Sequence, residues 1–304
     1  WRRHDRFPLF PHILTPSPPR RVCFVTCLAW PDISDSDGHA RRALEARGVS
    51  VTGIPWNAPE GRFDGFDAVI FRSSWDYHHE PESYLAWLAR WEAAGVRFWN
   101  PPDLVRWNLT KRYLLDLEQR GVGVVPTVVL EEPASAHLPA LLAARGWSQA
   151  VVKPVLGASG HDATLVTPGR AHAVAAAIEE GRIRRPVIVQ PFVEGIRTSG
   201  EWSMVFIEGE LTHSVLKRPA QDDFRVQSSF GGTSGLAVPP QAVAEAGLRS
   251  LGALPAAPLY ARVDGIETDA GFLIMELEVH EPSLYFGAAP QAARVFAEAI
   301  LRRI

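Results

Sequence analysis

Apolar, strand-like segments alternate with amphipathic, helix-like segments over the first third of the chain, and this alternation constrains the fold more than any other feature. Between residues 21 and 107, runs such as VCFVTCLAW and FDAVIFRSSW are separated by runs such as DGHARRALEARG and PESYLAWLARWEAAG. Strands and helices that alternate through short links are typical of a parallel sheet covered by helices. The sequence therefore predicts a Rossmann-like substrate domain over residues 21–107. Because no GxGxxG follows its first strand, a dinucleotide is not predicted.

The rest of the chain predicts mixed α+β structure, so the expected fold class is α/β and α+β. Residues 108–190 combine short strands with helices, and we expect a cap at Asn108 or Thr110 to begin the first of these helices. Residues 191–304 contain two strand pairs, one of them joined at the hairpin signal Glu208–Glu210. Between the pairs, AQDDFRVQSSFGGTSG is polar and glycine-rich, as mobile loops are. We expect residues 1–20, rich in proline and arginine, to be a disordered extension or an added flank outside the fold.

Composition excludes several classes of partner. The 304 residues carry a net charge of -3, which gives no reason to expect nucleic acid or a membrane surface as a partner. No apolar run approaches the length of a membrane span. Cys23 and Cys27 lie four apart on a predicted strand, too far apart to bridge within one extended segment. We therefore expect core thiols and a reducing cytoplasm.

Lysine is rare in this chain and its positions are informative. Of 31 basic residues only Lys111, Lys153 and Lys217 are lysines. An ammonium is a compact point charge, whereas a guanidinium is a planar fork, so these positions are candidates for a compact cation, the alternative being chance. Lys153 ends the apolar run QAVVKP and precedes the small, glycine-rich segment VLGASG. The familiar phosphate loop places its lysine after the glycines, so a different phosphate cradle is needed here.

Three carboxylates converge in the segment YARVDGIETDAGFLIMELEV. Glu276 and Glu278 lie two apart on a predicted strand, so both side chains leave the same face. If the two strands turn near Ala270, Asp264 falls opposite Glu276 and joins that face. Carboxylates so close repel one another unless a cation holds them, and oxygen ligands in this number favour Mg²⁺ bridged to phosphates. The alternative, a solvated acidic face, fits poorly with the apolar flanks FLIM and LYARV.

These segments, taken in order, resemble the ATP-grasp superfamily. The resemblance rests on Lys111, VVKP with GASG, VIVQPFVEG, KRP before a glycine-rich loop, and VDGI with MELEV, and it covers residues 21–304. The chain is similar in particular to the glutathione synthetase-like and ribosomal-protein-modifying ligases. This implies an ATP-grasp fold in which a small lobe, 108–190, and a large lobe with the metal site, 191–304, enclose ATP.

The resemblance also implies roles for individual residues. Phosphate-binding lysines, the glycine loop, the segment that meets adenine and candidate ribose ligands form the ATP site: Lys111, Lys153, Gly157, Ser159, Gly160, Gln190, Phe192, Val193, Glu194 and Glu201. Mg²⁺ is implied at three carboxylates, where the family usually has Asp, Glu and Asn: Asp264, Glu276 and Glu278. Cations that face the transferred phosphate or close over it are the implied catalytic residues: Lys217, Arg218 and Arg225.

The implied activity is that of an ATP-dependent carboxylate–amine ligase acting on small amino-acid-like substrates. The γ-phosphate passes to a carboxylate, and an amine attacks the acyl phosphate, so ADP and phosphate are released. Polar groups that follow a parallel strand or the metal ligands are substrate candidates, together with Arg72: Ser73, Trp75, Asp76, Tyr77 and Ser283. For Trp75 and Tyr77 the alternative is packing at a domain interface.

Three segments point to a smaller group within the superfamily. RSSWDYHHEPESYLAWL, NPPDLVRWNLTKRYLLDL and MELEVHEPSLYF are similar to a bacterial group that includes the ligase closing O-ureido-D-serine to D-cycloserine. This implies intramolecular ring closure as one candidate reaction. An ATP-binding regulatory protein without chemistry and a small-molecule kinase of the same fold are the alternatives. Related ligases are often dimers or tetramers, which makes a homo-oligomer an expectation.

Overall fold

A computed structural model describes residues 19–131, 134–157, 160, 163–221 and 223–304, without the side chains of residues 134–136. The predicted phosphate ligand Ser159 and residues 1–18 of the predicted N-terminal extension lie outside the described residues. Three sheets, each with helices packed on it, make up the described chain. Within it, no helix combines the length and apolar character that crossing a membrane requires.

The first sheet is parallel, as the strand–helix alternation predicts. It has the spatial order β2-β1-β3-β4, and its strands are β1 (Arg21–Thr26), β2 (Ser50–Pro55), β3 (Ala68–Phe71) and β4 (Phe98–Trp99). Helices α1 (Asp35–Glu45) and α2 (Pro81–Ala93) connect these strands. Ser34 begins α1 by accepting a hydrogen bond from the Asp37 backbone N–H. The strands β1 and β3 are buried almost throughout because their apolar side chains face helices on both sides.

The second sheet is antiparallel and small. Its strands, in the order β5-β8-β6-β7, are β5 (Val128–Leu130), β6 (Ala150–Pro154), β7 (Thr164–Val166) and β8 (Val187–Pro191). Before it come α3 (Pro102–Asn108) and α4 (Tyr113–Gln119), and the sheet is covered by α5 (Ala134–Arg145) and α6 (Ala171–Glu179). The predicted helix cap is wrong, since α4 begins after Arg112, without a side-chain cap. Asn108 instead ends α3 and binds the strand that carries the carboxylates.

The third sheet is antiparallel and contains both predicted hairpins. The chain enters it through α7 (Gly195–Thr198), and its strands, in the order β11-β10-β9-β12-β13, are β9 (Glu201–Ile207), β10 (Glu210–Arg218), β11 (Thr233–Leu236), β12 (Tyr260–Thr268) and β13 (Gly271–Glu278). The turn between β9 and β10 uses Glu208 and Gly209 in the left-handed region. Short 3₁₀ helices occur at Tyr77–His79, Pro168–Arg170 and Ser228–Phe230. The end of the segment predicted as a mobile loop forms the edge strand β11.

Two further helices complete the packing, α8 (Gln241–Leu251) on the third sheet and α9 (Pro290–Leu301) at the end of the chain. The helix α9 packs against α1, so the C-terminal residues belong to the core of the first sheet. Phe286, Phe296 and Tyr260 extend this core into the third sheet. The first and third sheets thus share one continuous core, which fixes the position of β12 and β13 relative to β3.

Candidate functional site

A cavity of about 430 Å³ receives side chains from all three sheet regions. Tyr77 contributes from the segment after β3, Lys153 from the end of β6, and Glu276 from β13. Small-molecule sites typically measure about 300–1,000 Å³. The cavity therefore has the size of a ligand site, and each sheet supplies a different kind of group to it.

The three predicted carboxylates meet on one face of the β12–β13 hairpin. Asp264 pairs directly with Glu276 across the strands, as expected from the sequence, although a register shift between Asp264 and Gly265 produces this pairing. Single oxygens of Asp264, Glu276 and Glu278 lie within 4.8 Å of one another. A divalent cation such as Mg²⁺ prefers carboxylate oxygens, so this donor set fits the metal that the resemblance implies.

Two of the three lysines are bound to these acidic groups. Lys111 Nζ lies 3.2 Å from Glu276 Oε1 and donates to the Gly157 carbonyl at 2.9 Å. Lys217 forms an ion pair with Glu201, and its Nζ lies 3.6 Å from Asp264 Oδ2. These pairs neutralise much of the negative charge of the cluster before any ligand binds.

Lys153 differs from the other two lysines. Its side chain lines the cavity but makes no hydrogen bond or ion pair with any residue that the structure describes. Burial lowers the pKa of Lys153, and repulsion from Lys111 and Lys217 adds to this, against the attraction of Glu276 and Glu201. An ammonium without a partner in a cavity is suited to an anionic ligand such as a phosphate.

The carboxylates themselves have opposite pKa shifts. Burial acts to raise the pKa of Glu276, but the attraction of Lys111, Lys153 and Arg262 prevails and lowers it to about 2. At Glu278 burial dominates, Arg262 opposes it, and repulsion from the neighbouring carboxylates adds to burial, so its pKa rises to about 8. Glu276 is therefore held as an anion, whereas Glu278 depends on its surroundings for its charge.

Arg262 is the main site residue that sequence reasoning missed. Its guanidinium donates to Asp264 through Nε at 3.0 Å and through Nη2 at 2.8 Å, and Nη2 also donates to Glu278 at 2.7 Å. Nη1 donates to the Ser283 carbonyl at 3.2 Å. Arg262 lies two residues before Asp264 on the same strand, so period-two spacing could have placed it on the carboxylate face.

Buried amides hold the strand that carries the carboxylates. Asn108 donates to the Leu277 carbonyl at 2.7 Å and accepts from the Val279 N–H at 2.9 Å. Asn100 donates to the Tyr260 and Val279 carbonyls at 2.8 and 2.7 Å. Glu278 lies between the two backbone groups that Asn108 binds, so its position is fixed from outside the hairpin.

Two glycine-rich segments meet at the cavity. Gly157 and Gly160 follow β6, and both line the cavity. Gly160 has a φ of +67°, and a Cβ at this position would lie 2.9 Å from the side chain of Gln227 in the loop before β11. In that loop Arg225 lines the cavity, pairs with Asp223 at 2.8 Å and lies over the Phe230 ring. The predicted glycine loop and the predicted mobile loop are therefore in contact.

The end of β8 and the residues that follow it give the cavity an apolar wall. Gln190, Phe192 and Val193 all line it, as predicted for the residues that meet adenine. Gln190 is buried because its Nε2 donates to Thr127 Oγ1 at 2.9 Å. The Arg197 guanidinium lies over the Phe192 ring, 4.7 Å from its centroid. A flat apolar wall with buried amides is suited to an aromatic base.

One predicted ATP-site residue, Glu194, and one predicted catalytic residue, Arg218, do not line the cavity. Glu194 is exposed and pairs with Arg197 at 3.3 Å. Arg218 is exposed because successive side chains of β10 point to opposite faces, so Lys217 takes the cavity face. Glu201, the second ribose candidate, does line the cavity, where it binds Lys217.

Some of the predicted substrate residues line the cavity and others do not. Trp75 and Tyr77 line the cavity, as does Ser283. Ser73 is buried outside it, and Asp76 binds the Trp56 indole N–H at 2.6 Å and the Asn57 amide at 3.0 Å. These two residues support the loop that carries Trp75.

Arg72 is also structural. It is fully buried, binds Asp37 at 3.0 Å and donates to the Pro282 carbonyl at 2.8 Å. Arg72 therefore links the first sheet to the turn after β13, which is the turn that carries Ser283.

Comparisons with known proteins identify relatives of this chain. Residues 22–100 match the family model described as D-cycloserine synthetase DcsG, N-terminal domain. The chain is 32% identical over 282 residues to the cycloserine biosynthesis protein DcsG of Streptomyces lavendulae, an alignment that covers 86% of this chain and 91% of the relative. It matches the crystal structure of D-cycloserine synthetase DcsG with a TM-score of 0.84 and 28% identity, over 93% of this chain and 99% of that one.

A more distant structure supports the fold alone. The ATP-grasp ligase PsnB, complexed with a phosphomimetic variant of its minimal precursor, Mg and ADP, matches with a TM-score of 0.65 and 16% identity, over 93% of this chain and 98% of that one. Together these likenesses confirm the predicted ATP-grasp fold and the predicted similarity to the cycloserine-forming group.

Proposed function

The chain belongs to the DcsG family of ATP-grasp ligases, and we propose that it uses ATP to join a carboxylate to a nitrogen of a small amino-acid-like substrate. One observation carries the proposal: a single cavity combines a cluster of three carboxylates with two glycine-rich segments and a lysine whose ammonium has no partner among the described residues. Such a set can hold a nucleotide with its metal and bring a second carboxylate to its phosphate. No protein nucleophile is required by this chemistry.

The phosphates of ATP are the expected partners of Lys153, with Lys111 and the backbone of Gly157 and Gly160 beside it. Small residues let backbone N–H groups approach phosphate oxygens closely. Mg²⁺, held by Asp264, Glu276 and Glu278, would supply charge neutralisation to the phosphates when bound. The apolar wall after β8 receives adenine. These contacts fix the nucleotide by one end at the wall and by the other at the carboxylate cluster.

Catalysis then depends on positioning and on charge. The γ-phosphoryl group passes to the substrate carboxylate, and Lys217, Arg262 and Arg225 lie where they can stabilise the negative charge of the phosphoryl group and of the resulting acyl phosphate. A nitrogen of the substrate attacks the acyl carbon and phosphate leaves. Holding ATP and the substrate carboxylate side by side in one cavity makes the phosphoryl transfer effectively unimolecular. The contact between the two glycine-rich segments supports exclusion of water from the acyl phosphate.

The family supports one particular substrate, O-ureido-D-serine. In this compound a nitrogen is bonded to the side-chain oxygen, and its attack on the activated carboxyl carbon closes a five-membered ring with loss of phosphate. Hydrolysis of the carbamoyl group on the same nitrogen releases carbon dioxide and ammonia and leaves D-cycloserine. We therefore propose intramolecular ring closure as the reaction.

Phosphorus NMR with ATP and Mg²⁺, with and without O-ureido-D-serine, tests the proposal. We expect ADP and free phosphate only when the compound is present, together with D-cycloserine detected by mass spectrometry. A phosphorylated compound that accumulates would favour a kinase of the same fold. ATP that stays intact with this compound and with a panel of amino-acid pairs would favour a binding protein without chemistry. The variant Glu276→Gln serves as the negative control for metal-dependent turnover.

A further inference from the structure

One carboxylate in the cavity lacks the kind of partner that the others have. Five carboxylates line it, and four form ion pairs with lysine or arginine: Glu201, Asp264, Glu276 and Glu278. The fifth, Glu281, has no lysine or arginine nitrogen within ion-pair distance among the described residues. Its side chain is only 12% exposed, and it faces the same cavity. A nearly buried anion without a cation is costly unless a ligand supplies one.

The position of Glu281 is fixed by a buried histidine. His280 Nδ1 contacts the Glu281 carboxylate and has no other hydrogen-bond partner among the described residues. On its other side, His280 Nε2 lies 2.5 Å from the Tyr84 hydroxyl and 3.3 Å from the Ser74 hydroxyl. An ionised carboxylate only accepts hydrogen bonds, so its contact requires a proton on Nδ1, and Nε2 is left facing the two hydroxyls. The ring, held on both sides, orients the Glu281 carboxylate.

Aromatic side chains surround the same position. Trp75 donates its indole N–H to the Glu281 carbonyl at 3.0 Å, and both Trp75 and Tyr77 line the cavity. The Tyr77 ring packs against His280 with its centroid 4.8 Å away. Aromatic faces next to a carboxylate are favourable for an ammonium group, because the ring quadrupole adds to the attraction of the anion.

We propose that Glu281, oriented by His280 and walled by Trp75 and Tyr77, binds the α-ammonium of the amino-acid substrate. The inference rests on the proposed function and names the subsite that selects an α-amino acid. Glu281 lies three residues beyond Glu278, at the end of the carboxylate cluster. An α-amino acid carries its ammonium one carbon from its carboxylate. Binding the ammonium at Glu281 therefore turns the carboxylate towards the cluster, where the phosphoryl group is transferred.

The test compares substrates with and without the ammonium in the wild type, in Glu281→Gln and in the surface control Glu245→Gln. The probes are O-ureido-D-serine and its analogue in which hydrogen replaces the α-amino group. A charge-assisted contact of this kind makes the wild type prefer the amino compound in kcat/KM by about 10- to 100-fold. We expect Glu281→Gln to abolish this preference while the affinity for a fluorescent ATP analogue stays unchanged. A preference retained in Glu281→Gln would overturn the proposal.

A second measurement separates this inference from the proposed reaction. If the wild type turns over neither compound, ring closure fails as the function, and calorimetry with D-serine and 3-hydroxypropanoate in the presence of ADP still tests Glu281. Binding that requires the ammonium in the wild type and in Glu245→Gln, but not in Glu281→Gln, supports the subsite. The absence of any ammonium-dependent binding in the wild type would refute it.

Discussion

Replacing Arg262 by methionine removes the guanidinium that joins two carboxylates of the cluster. Arg262 donates to Asp264 through Nε and Nη2 and to Glu278 through Nη2, and its side chain is 10% exposed. Methionine keeps most of the length of the side chain but none of these donors. The two carboxylates then face each other without the cation that lies between them.

The expected loss of stability depends on the partners that the two carboxylates keep. Breaking a buried ion pair by removing one partner costs about 3–5 kcal/mol. Asp264 keeps Lys217 and Ser203 as partners, and Glu278 is 28% exposed and gains a proton readily because its pKa is already raised, so we reduce the expected loss to about 2–4 kcal/mol. At about 2–4 °C per kcal/mol for a chain of this size, the thermal midpoint should fall by about 4–16 °C.

Thermal unfolding with and without Mg²⁺ measures this loss. Because Mg²⁺ can replace the missing positive charge at the carboxylates, it should raise the midpoint of Arg262→Met more than that of the wild type, at matched ionic strength. Arg262→Lys keeps the positive charge but not the planar, forked guanidinium, so its midpoint should lie between those of the wild type and Arg262→Met. A midpoint within about 1 °C of the wild type, or an equal effect of Mg²⁺ on both proteins, would refute this account of Arg262.

Other variants test the remaining parts of the site. Lys153→Met should weaken ATP binding about 10- to 100-fold without lowering the thermal midpoint, because Lys153 has no partner among the described residues; a large loss of stability would contradict this. Glu276→Gln should reduce turnover at least about 100-fold; unchanged turnover would remove Glu276 from the metal site. Gly160→Ala, at a φ of +67° and in contact with Gln227, should raise the KM for ATP about 5-fold or more, whereas Gly169→Ala, which meets no neighbour, should not.

Local patterns were sufficient to predict the sheets and the carboxylate cluster. A strand has a period of two, so the spacing of Glu276 and Glu278 fixes a shared face. The expected turn near Ala270 is present, but a register shift between Asp264 and Gly265 is what brings Asp264 opposite Glu276, and the local pattern does not show it. Strand–helix alternation fixes the parallel sheet for a similar reason, because short links leave few connections. The superfamily resemblance added the order of the ATP-site segments, which no single motif specifies.

The residues that were missed or misplaced depend on contacts between distant segments. Asn108 reads as a helix cap from its neighbours, but its partners lie about 170 positions away on β13. Arg72 and Asp76 are polar and follow a parallel strand, as substrate ligands often do. Their partners Asp37 and Trp56 satisfy them inside the fold instead. Local sequence carries no information on which polar group finds a partner across the core.

The charged groups that line the cavity indicate which charges a ligand would have to supply. Five carboxylates and five cations line it among the described residues, and all but two of these ten groups form ion pairs with an oppositely charged side chain. The two exceptions are Lys153 and Glu281. Among the described residues, the other eight groups have an oppositely charged partner, whereas the Lys153 ammonium has none and the Glu281 carboxylate has only His280. The cavity is therefore complementary to a ligand set with an anion at one point and a cation at another. In the proposed function, ATP would supply the anion, and an α-amino acid would supply the cation next to the carboxylate that is activated.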